Sequence, residues 1–362
     1  MKDAKPPLRV GIVGCGSFGR KTYAYGVAEH PGAAVTALCD IDRGRAEAVA
    51  RELSEERGAE LRPATYEDYG RMIEKEPLDI VMVGTLADVR PAVTLAALNA
   101  GAHVLAAKPM APSLAGAEEM LRAAKQAEKL LMVGYNFRFR DDAQVVHRFI
   151  REGGLGRPLF ARAWSHEASV PTWGPHYIRS LSAGGSLAST AVHVIDLAVW
   201  FLGCPKLLSV EGHSLSRFAD LPSLPPKLEA VRETYDAEDL TSGYARFTDG
   251  VAMSVEGMWL TPPQIDGKGV EVWGTGGYAS LSPLRLLTWQ DGDYADRTEE
   301  IAPGLAGPFR DESSVRNRRE VRHFLDCVLG KTTPLITPQE MWTDQAIVEG
   351  IYAGHREFDL TP

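Results

Sequence analysis

Cysteine is scarce in this chain of 362 residues, which has only four cysteines. They stand far apart, at Cys15, Cys39, Cys204 and Cys327, and none belongs to a Cys-x-x-Cys pair. A disulfide framework or a zinc knuckle requires cysteines at short, regular spacings. We therefore expect reduced thiols in a cytoplasmic protein, with no structural zinc.

Positive charge and long apolar runs are also limited. The 39 lysines and arginines are outnumbered by 48 aspartates and glutamates, and the resulting net charge of −9 argues against nucleic acid as a partner. Polar and charged residues interrupt the apolar runs before the roughly 18 residues that a membrane span needs. We therefore expect no membrane interaction. The N-terminus lacks the pattern of a signal peptide, which is consistent with the expected cytoplasmic location.

The composition is that of a folded globular protein, with 44% hydrophobic and 24% charged residues. Up to about residue 135, buried strands such as Leu8–Val13 alternate with helices, which is typical of a doubly wound parallel sheet. Later strands alternate apolar and polar residues, and Asp249-Gly250 indicates a hairpin turn. We predict an α/β protein with two domains. Residues 1–135 would hold the parallel sheet, and residues 136–362 a mostly antiparallel open sheet.

A glycine-rich turn follows the first strand and matches G-x-G-x-x-G. Gly14 can make the tight turn, Gly16 lets a pyrophosphate approach the backbone, and Gly19 lets helix and strand pack closely. Asp40 ends the second strand, 21 residues after Gly19, where it can accept hydrogen bonds from ribose hydroxyls. This pattern favours NAD, although Arg43 keeps NADP possible. The alternative is a structural turn with Asp40 as a helix cap.

Two further polar residues, Thr85 and Lys108, follow predicted buried strands. The carboxyl ends of parallel strands form the edge of the sheet where ligands bind, so an ammonium group there could bond a substrate hydroxyl. The alternative is a solvated strand end. The predicted cofactor-binding residues are Gly14, Cys15, Gly16, Ser17, Phe18, Gly19, Asp40, Thr85 and Lys108.

Together with other segments, these motifs resemble the glucose-fructose oxidoreductase / inositol dehydrogenase / rhizopine-catabolism (Gfo/Idh/MocA) family over nearly the whole chain. The other segments are Asn99-Ala100-Gly101-Ala102-His103-Val104, Lys108-Pro109, Gly184-Gly185 and His193-Val194-Ile195-Asp196. The resemblance implies an N-terminal Rossmann domain and NAD(P)-dependent hydride transfer to or from a sugar, polyol or derivative. It also implies a homodimer or homotetramer, a catalytic role for His193, and contacts from Lys108 to nicotinamide ribose and substrate.

Three positions depart from the family pattern. Ala107 replaces the glutamate before the lysine, Ser189 replaces the aspartate common four residues before the histidine, and Arg90 stands close to the place of another histidine. These departures leave two alternatives to a dehydrogenase. One is a redox-neutral enzyme whose tightly held NAD transiently oxidises a glycoside so that it can be cleaved. The other is a non-catalytic NAD-binding regulator.

The helix that carries His193 has a polar stripe. Ser189, His193, Asp196 and Trp200 recur at spacings of four, three and four, which places them on one helix face after the Gly184-Gly185 turn. That turn could let a ligand approach, although a histidine in such a helix is often a packing residue. No third metal ligand is near in sequence, so we expect no metal.

Two aromatic and polar segments supply the remaining candidates for substrate binding. The segment 135–138 follows the last parallel strand, and its Arg138 could bond hydroxyl or carboxylate groups. The segment 173–179 offers an aromatic platform of the kind that sugars bind. Packing explains either segment equally well. The predicted substrate-binding residues are Tyr135, Arg138, Trp173, His176, Tyr177, Ser189 and His193.

Overall fold

The computed structural model describes residues 6–57, 62–305 and 313–359. The chain forms two compact units. The described part of the first unit comprises residues 6–57, 62–111, 115–136 and 313–338, and that of the second comprises 112–114, 137–305 and 339–359. Each unit is built around its own sheet.

The first unit contains a six-stranded parallel sheet in the order β3-β2-β1-β4-β5-β6. Its central strands are buried on both faces, as parallel strands between helices are. The doubly wound parallel sheet is thereby confirmed. The strands are β1 (Leu8–Val13), β2 (Ala33–Cys39), β3 (Ala64–Tyr66), β4 (Ile80–Val83), β5 (His103–Ala106) and β6 (Leu131–Val133).

Helices connect these strands, and one helix comes from the far end of the chain. Ser313–Val328 packs on the first unit, where Asn317 donates to Thr22 at 3.1 Å and Arg318 pairs with Glu29 at 2.9 Å. The predicted boundary after residue 135 placed this helix in the second domain, whereas the structure places it in the first unit. A sequence pattern does not show which sheet a helix far along the chain will cover. The other helices of this unit are Gly19–Ala24 continuing as Tyr25–Ala28, Arg43–Arg57, Tyr69–Lys75, Arg90–Asn99 and Leu114–Ala127.

The second unit contains a nine-stranded sheet in the order β14-β13-β12-β11-β7-β10-β9-β8-β15. Strands β7 and β10 pair in parallel and the other neighbours pair antiparallel, so the predicted mostly antiparallel sheet is confirmed. The strands are β7 (Pro158–Glu167), β8 (Leu207–Leu215), β9 (Leu240–Phe247), β10 (Ala252–Trp259), β11 (Gly267–Gly274), β12 (Gly277–Leu281), β13 (Leu284–Gln290), β14 (Asp293–Asp296) and β15 (His355–Glu357).

The hairpin between β9 and β10 turns where the sequence predicts. Asp249 has a φ of 59° and Gly250 a φ of 73°, and the Val251 N–H donates to the Thr248 carbonyl at 3.2 Å. Two consecutive positive φ angles define a primed turn, whose twist matches that of the paired strands.

The core of the second unit is an apolar helix. Ser186–Ala191 is π-helical and continues as the α-helix Val192–Phe201, whose residues are all buried. The segment Arg179–Phe201 is long and apolar enough, by length and composition, to cross a membrane. Its most apolar part is nevertheless wholly buried inside the structure. A core helix also passes this test. The unit's other helices are Asp141–Arg151, Arg179–Ser182, Pro226–Glu229, Thr298–Ile301 and Pro338–Ala353.

Candidate active site

Two glycines of the G-x-G-x-x-G turn are required by the protein's own packing. Gly14 has a φ of +93°, and a Cβ added there would lie 2.7 Å from the Gly84 carbonyl carbon. A Cβ on Gly19 would lie 1.8 Å from the Gly14 carbonyl oxygen. A side chain at Gly14 would push the turn away from Gly84, which follows β4, and one at Gly19 would push the helix away from the turn.

Gly16, in contrast, has no packing reason to be glycine. Its two chain neighbours aside, a Cβ added there would meet no atom of the described residues within 4 Å, and the φ of Gly16 lies outside the left-handed region. The Arg20 N–H donates to the Gly16 carbonyl at 2.9 Å, so Gly16 stands at the start of the helix. The open space therefore adjoins first-turn N–H groups, which lack partners within a helix and attract anions. This arrangement fits an approaching pyrophosphate.

Asp40 braces the glycine turn from the end of β2. It is 7% exposed, and its Oδ2 accepts from the Cys15 N–H at 2.7 Å while its Oδ1 accepts from the Asp42 N–H at 2.9 Å. The structural turn of the predicted alternative is present, but the cap of the next helix is Asp42, whose Oδ1 accepts from the Gly44 N–H at 3.1 Å. A carboxylate has about four acceptor sites, so the two bonds to Asp40 still leave capacity for ribose hydroxyls.

The two thiols at this turn are neutral. Burial raises the pKa of Cys15 and of Cys39 to about 12 in each case. They therefore add no negative charge where phosphates would approach. Of the remaining turn residues, Ser17 is exposed, and the half-buried Phe18 packs edge-on against Tyr23 with ring centroids 5.1 Å apart.

Arg90 ties together the two strand ends that carry Thr85 and Lys108. Its buried guanidinium donates to the Thr85 carbonyl at 2.5 Å and to the Pro109 carbonyl. Burial lowers the pKa of Arg90 to about 10, so it still carries its charge at neutral pH. Thr85 and Lys108 are both half-buried beyond the ends of β4 and β5. Arg90 thus has a structural role at the place where the family pattern has a histidine.

Exposed apolar residues at the same edge of the sheet were not predicted. Ile41, directly after Asp40, is 92% exposed, and Leu86 and Val89 after β4 are 42% and 44% exposed. A β-branched residue immediately after a strand-ending acid was the available signal. Large apolar side chains held in solvent at a strand end can contact a flat ligand.

The second unit places His193 flat against Phe137. Their ring centroids are 4.5 Å apart with an interplanar angle of 13°, and His193 is 8% exposed. One turn earlier, the Ser189 hydroxyl donates to the Gly184 carbonyl at 3.2 Å. The polar stripe predicted for this helix is therefore largely buried.

The Gly184-Gly185 turn was predicted to let a ligand approach, but other residues of the protein fill the space around it. A Cβ on Gly184 would lie 1.9 Å from the Tyr352 hydroxyl, and one on Gly185 would lie 2.0 Å from the Glu238 carbonyl oxygen. The buried Glu238 carboxylate accepts from the Gly185 N–H at 2.8 Å and from the Leu187 N–H at 3.0 Å. The Tyr352 hydroxyl also donates to it at 2.8 Å. Glu238 caps the helix, and its distance in sequence hid this role.

Arg138 is fully buried and ion-paired, which corrects its prediction as a substrate contact. It donates to both carboxylate oxygens of Asp196 at 2.7 to 3.0 Å and to Glu340 at 2.8 Å, and it lies over the Trp200 ring at 5.1 Å. Burial alone would lower the pKa of Arg138, but the carboxylates outweigh it and raise that pKa. Tyr135 is also fully buried, which favours packing over substrate contact.

The buried cluster around Arg138 brings several carboxyl groups to one guanidinium, among them those of Asp196 and Glu340. Asp344 is fully buried in the same cluster, and burial together with the charge of Asp196 raises its pKa well above the ordinary value. Burial also raises the pKa of Asp196 to about 6, although Arg138 opposes the shift. This cluster holds protons that free carboxylates would release at the same pH.

The segment after β7 exposes one large aromatic side chain. Trp173 is 73% exposed and packs edge-on against His176, with ring centroids 4.1 Å apart. Tyr177 instead packs against the buried cluster of Val170, Phe218, Leu228 and Trp259. Trp173 and His176 therefore remain candidates to contact a substrate, and Tyr177 anchors their segment.

Sequence comparison accounts for both units. The oxidoreductase family with an NAD-binding Rossmann fold, GFO/IDH/MocA, matches residues 8–135, and the C-terminal domain of the same family matches residues 143–280. The chain belongs to the GFO/IDH/MocA oxidoreductase family. The predicted family, α/β fold class and NAD cofactor are thereby confirmed.

Several named dehydrogenases are similar to this chain over most of its length. D-glucoside 3-dehydrogenase from Escherichia coli is 27% identical over 356 residues, which cover 97% of each chain. The NAD⁺-dependent scyllo-inositol 2-dehydrogenase of Bacillus subtilis is 26% identical, with 91% of this chain and 89% of the relative covered.

Solved structures share the fold. A levoglucosan dehydrogenase in complex with NADH and levoglucosan superposes with a TM-score of 0.77 at 20% identity, covering 97% of this chain and 99% of that one. The aldose-aldose oxidoreductase of Caulobacter crescentus, complexed with glycerol, has a TM-score of 0.75 at 21% identity, with 97% and 100% covered.

Proposed function

We propose that this family member is an NAD-dependent dehydrogenase that moves hydride between the cofactor and a hydroxyl or carbonyl group of a sugar, polyol or derivative. The observation that carries the proposal is Gly16, a glycine that neither a packing contact with the described part of the chain nor its backbone angle requires, beside the N–H groups of a helix start. The named relatives, which include a glucoside and an inositol dehydrogenase, support the substrate class.

The first unit would hold the cofactor through three sets of contacts. The N–H groups beside Gly16 would bind the pyrophosphate, Asp40 the adenosine ribose and the exposed Ile41 side chain the adenine ring. A carboxylate at the ribose repels a 2′-phosphate, so NAD should bind more tightly than NADP, although Arg43 leaves NADP usable. When bound, NAD supplies the hydride acceptor.

The remaining chemistry is proton transfer at the reacting hydroxyl. We assign His193 as the base that takes this proton and Lys108 as the cation that steadies the developing alkoxide. Trp173 and His176 would contact the sugar or polyol, since an exposed indole offers an apolar face to a ring. Arg138 and Tyr135 are left out of this assignment because both are fully buried.

The assignment of the two catalytic residues is tested by substitution. Lys108→Ala and His193→Asn should each lower turnover on the order of a hundredfold, with NAD affinity and melting temperature little changed. The matched controls are Lys125→Ala and His213→Asn, because both side chains are exposed on regular elements. If a site variant matched its control in turnover, its assignment would be withdrawn.

We also propose that two or four copies assemble in the cytoplasm through the outer face of the second sheet. Along β7 one face is buried, while Phe160, Arg162 and Trp164 on the other remain partly exposed. Arg162 pairs with Glu256 at 3.2 Å, so this face carries both charges and can complement a second copy of itself. Light scattering should give a multiple of 39.4 kDa, and a monomer at micromolar concentration would contradict this assembly.

A further inference from the structure

We propose that Phe137 is a positioning residue that sets the plane of the His193 imidazole, and that the buried Arg138–Asp196 ion pair holds Phe137 in place. The inference rests on the proposed role of His193 as the base. It explains why the residue next to the buried Arg138 is aromatic.

The contact between the two rings restricts His193 strongly. The rings lie 4.5 Å apart and 13° from parallel, with Phe137 3% and His193 8% exposed. The nitrogen atoms of an imidazole lie in the ring plane, so a stack on one face fixes the plane in which they accept or donate a proton. A ring without this support could rotate about its side-chain bonds and lose its aim at a hydroxyl.

Phe137 is itself held from two sides. The Arg140 guanidinium lies over the Phe137 ring, 5.3 Å from its centroid. Arg138, the next residue along the chain, makes three hydrogen bonds to Asp196 at 2.7 to 3.0 Å. Asp196 is three residues after His193, on the same face of the same α-helix. The ion pair therefore clamps the segment that bears Phe137 onto the helix that bears His193.

The clamp is costly to open because both of its charged groups are buried. Arg138 and Asp196 are both fully buried, and Glu340 adds a further bond to the guanidinium at 2.8 Å. A buried charge pair is costly to break, because either partner alone would be left uncompensated. A small error in the placement of a catalytic group can lower a rate by one to two orders of magnitude, so such a clamp matters for turnover.

The test compares Phe137→Leu, which removes the ring, with Phe137→Tyr, which keeps it. Phe137→Leu should lower kcat per active site by about tenfold or more and raise the solvent deuterium isotope effect on kcat, because proton transfer becomes slower. KM and the NAD dissociation constant should change less than about twofold. Phe137→Tyr, which keeps the ring, should have a rate and an isotope effect close to those of the unmodified protein.

The control is Phe247→Leu, which removes a phenylalanine ring that is 2% exposed at the end of β9. It should lower the melting temperature to a similar degree and leave the isotope effect unchanged. If Phe137→Leu fails to fold, Phe137→Met takes its place, because methionine fills a similar volume without a ring.

The outcomes separate this inference from the proposed function. If His193→Asn abolishes turnover while Phe137→Leu matches Phe247→Leu in its isotope effect, the positioning role is overturned and the proposed base stands. If His193→Asn keeps full turnover, both are overturned. The positioning role is supported if the isotope effect is raised in Phe137→Leu but not in Phe137→Tyr.

Discussion

Gly16→Ala should weaken NAD binding without weakening the fold. The added methyl group would project into space where, its two chain neighbours aside, no atom of residues 6–57, 62–305 or 313–359 lies within 4 Å, so the folded state gains no clash with them. Replacing glycine at a compatible backbone angle restricts the unfolded chain, which gives about 0 to 1 kcal/mol of added stability. The same methyl group would hold a pyrophosphate away from the helix N–H groups.

The expected loss of affinity follows from those hydrogen bonds. A hydrogen bond to a charged group contributes about 1.5–3 kcal/mol, so losing or stretching one raises the NAD dissociation constant by about tenfold or more. Calorimetric titration with NAD and a thermal melt measure the two quantities on the same sample. An unchanged dissociation constant in a folded Gly16→Ala protein would refute the placement of the pyrophosphate.

Gly19→Ala is the matched comparison within the same turn. Its Cβ would lie 1.8 Å from the Gly14 carbonyl oxygen, so it should lower the melting temperature, as overpacking of about 1–3 kcal/mol does. If both variants melted alike, the distinction between a packing glycine and a ligand glycine would be wrong.

Three further predictions concern the cofactor and the buried charges. Asp40→Ser should narrow the preference for NAD over NADP in a binding titration, and NADP binding more tightly to the unmodified protein would contradict the assignment. Arg138→Met should lower the free energy of unfolding by about 3–5 kcal/mol in urea, because it leaves buried carboxylates without a cation; a loss below about 1 kcal/mol would argue against the cluster. Because burial raises the pKa of Asp344 and that of Asp196, the latter to about 6, the folded state retains protons that the unfolded chain releases. The free energy of unfolding should therefore fall as pH rises from about 4 to 6. Asp344→Asn should make this pH dependence less steep, because one of the carboxyl groups that retain a proton is gone. An equally steep pH dependence in the variant would contradict proton retention by Asp344.

Local patterns in the sequence predicted much of the first unit. Strand β1, Leu8–Val13, begins and ends where the sequence predicts a buried strand. The edge strand β3 is three residues long and only half-buried, so it lacks the apolar run that predicts a buried strand. Asp68 caps the helix that follows β3, accepting from the Arg71 N–H at 2.7 Å.

Contacts between residues distant in sequence set the limit of prediction in the second unit. Gly184-Gly185 was expected to admit a ligand, but Glu238 and Tyr352 fill its surroundings. Arg138 was expected at a substrate, but its partners come from two helices much later in the chain. Neither partner lies near enough in sequence to form a local pattern, so the burial of these groups emerges only once the sheet and helices are assembled.

The proposed dehydrogenase activity is tested most directly by a screen of sugars and polyols with NAD, following NADH absorbance and analysing the product of each reacting compound. We expect at least one compound to yield NADH and a carbonyl product in equal amounts, and His193→Asn to form both on the order of a hundredfold more slowly. Cleavage of a glycoside without net NADH would instead identify the redox-neutral alternative. Tight NAD binding with no product from any compound would contradict the proposed dehydrogenase.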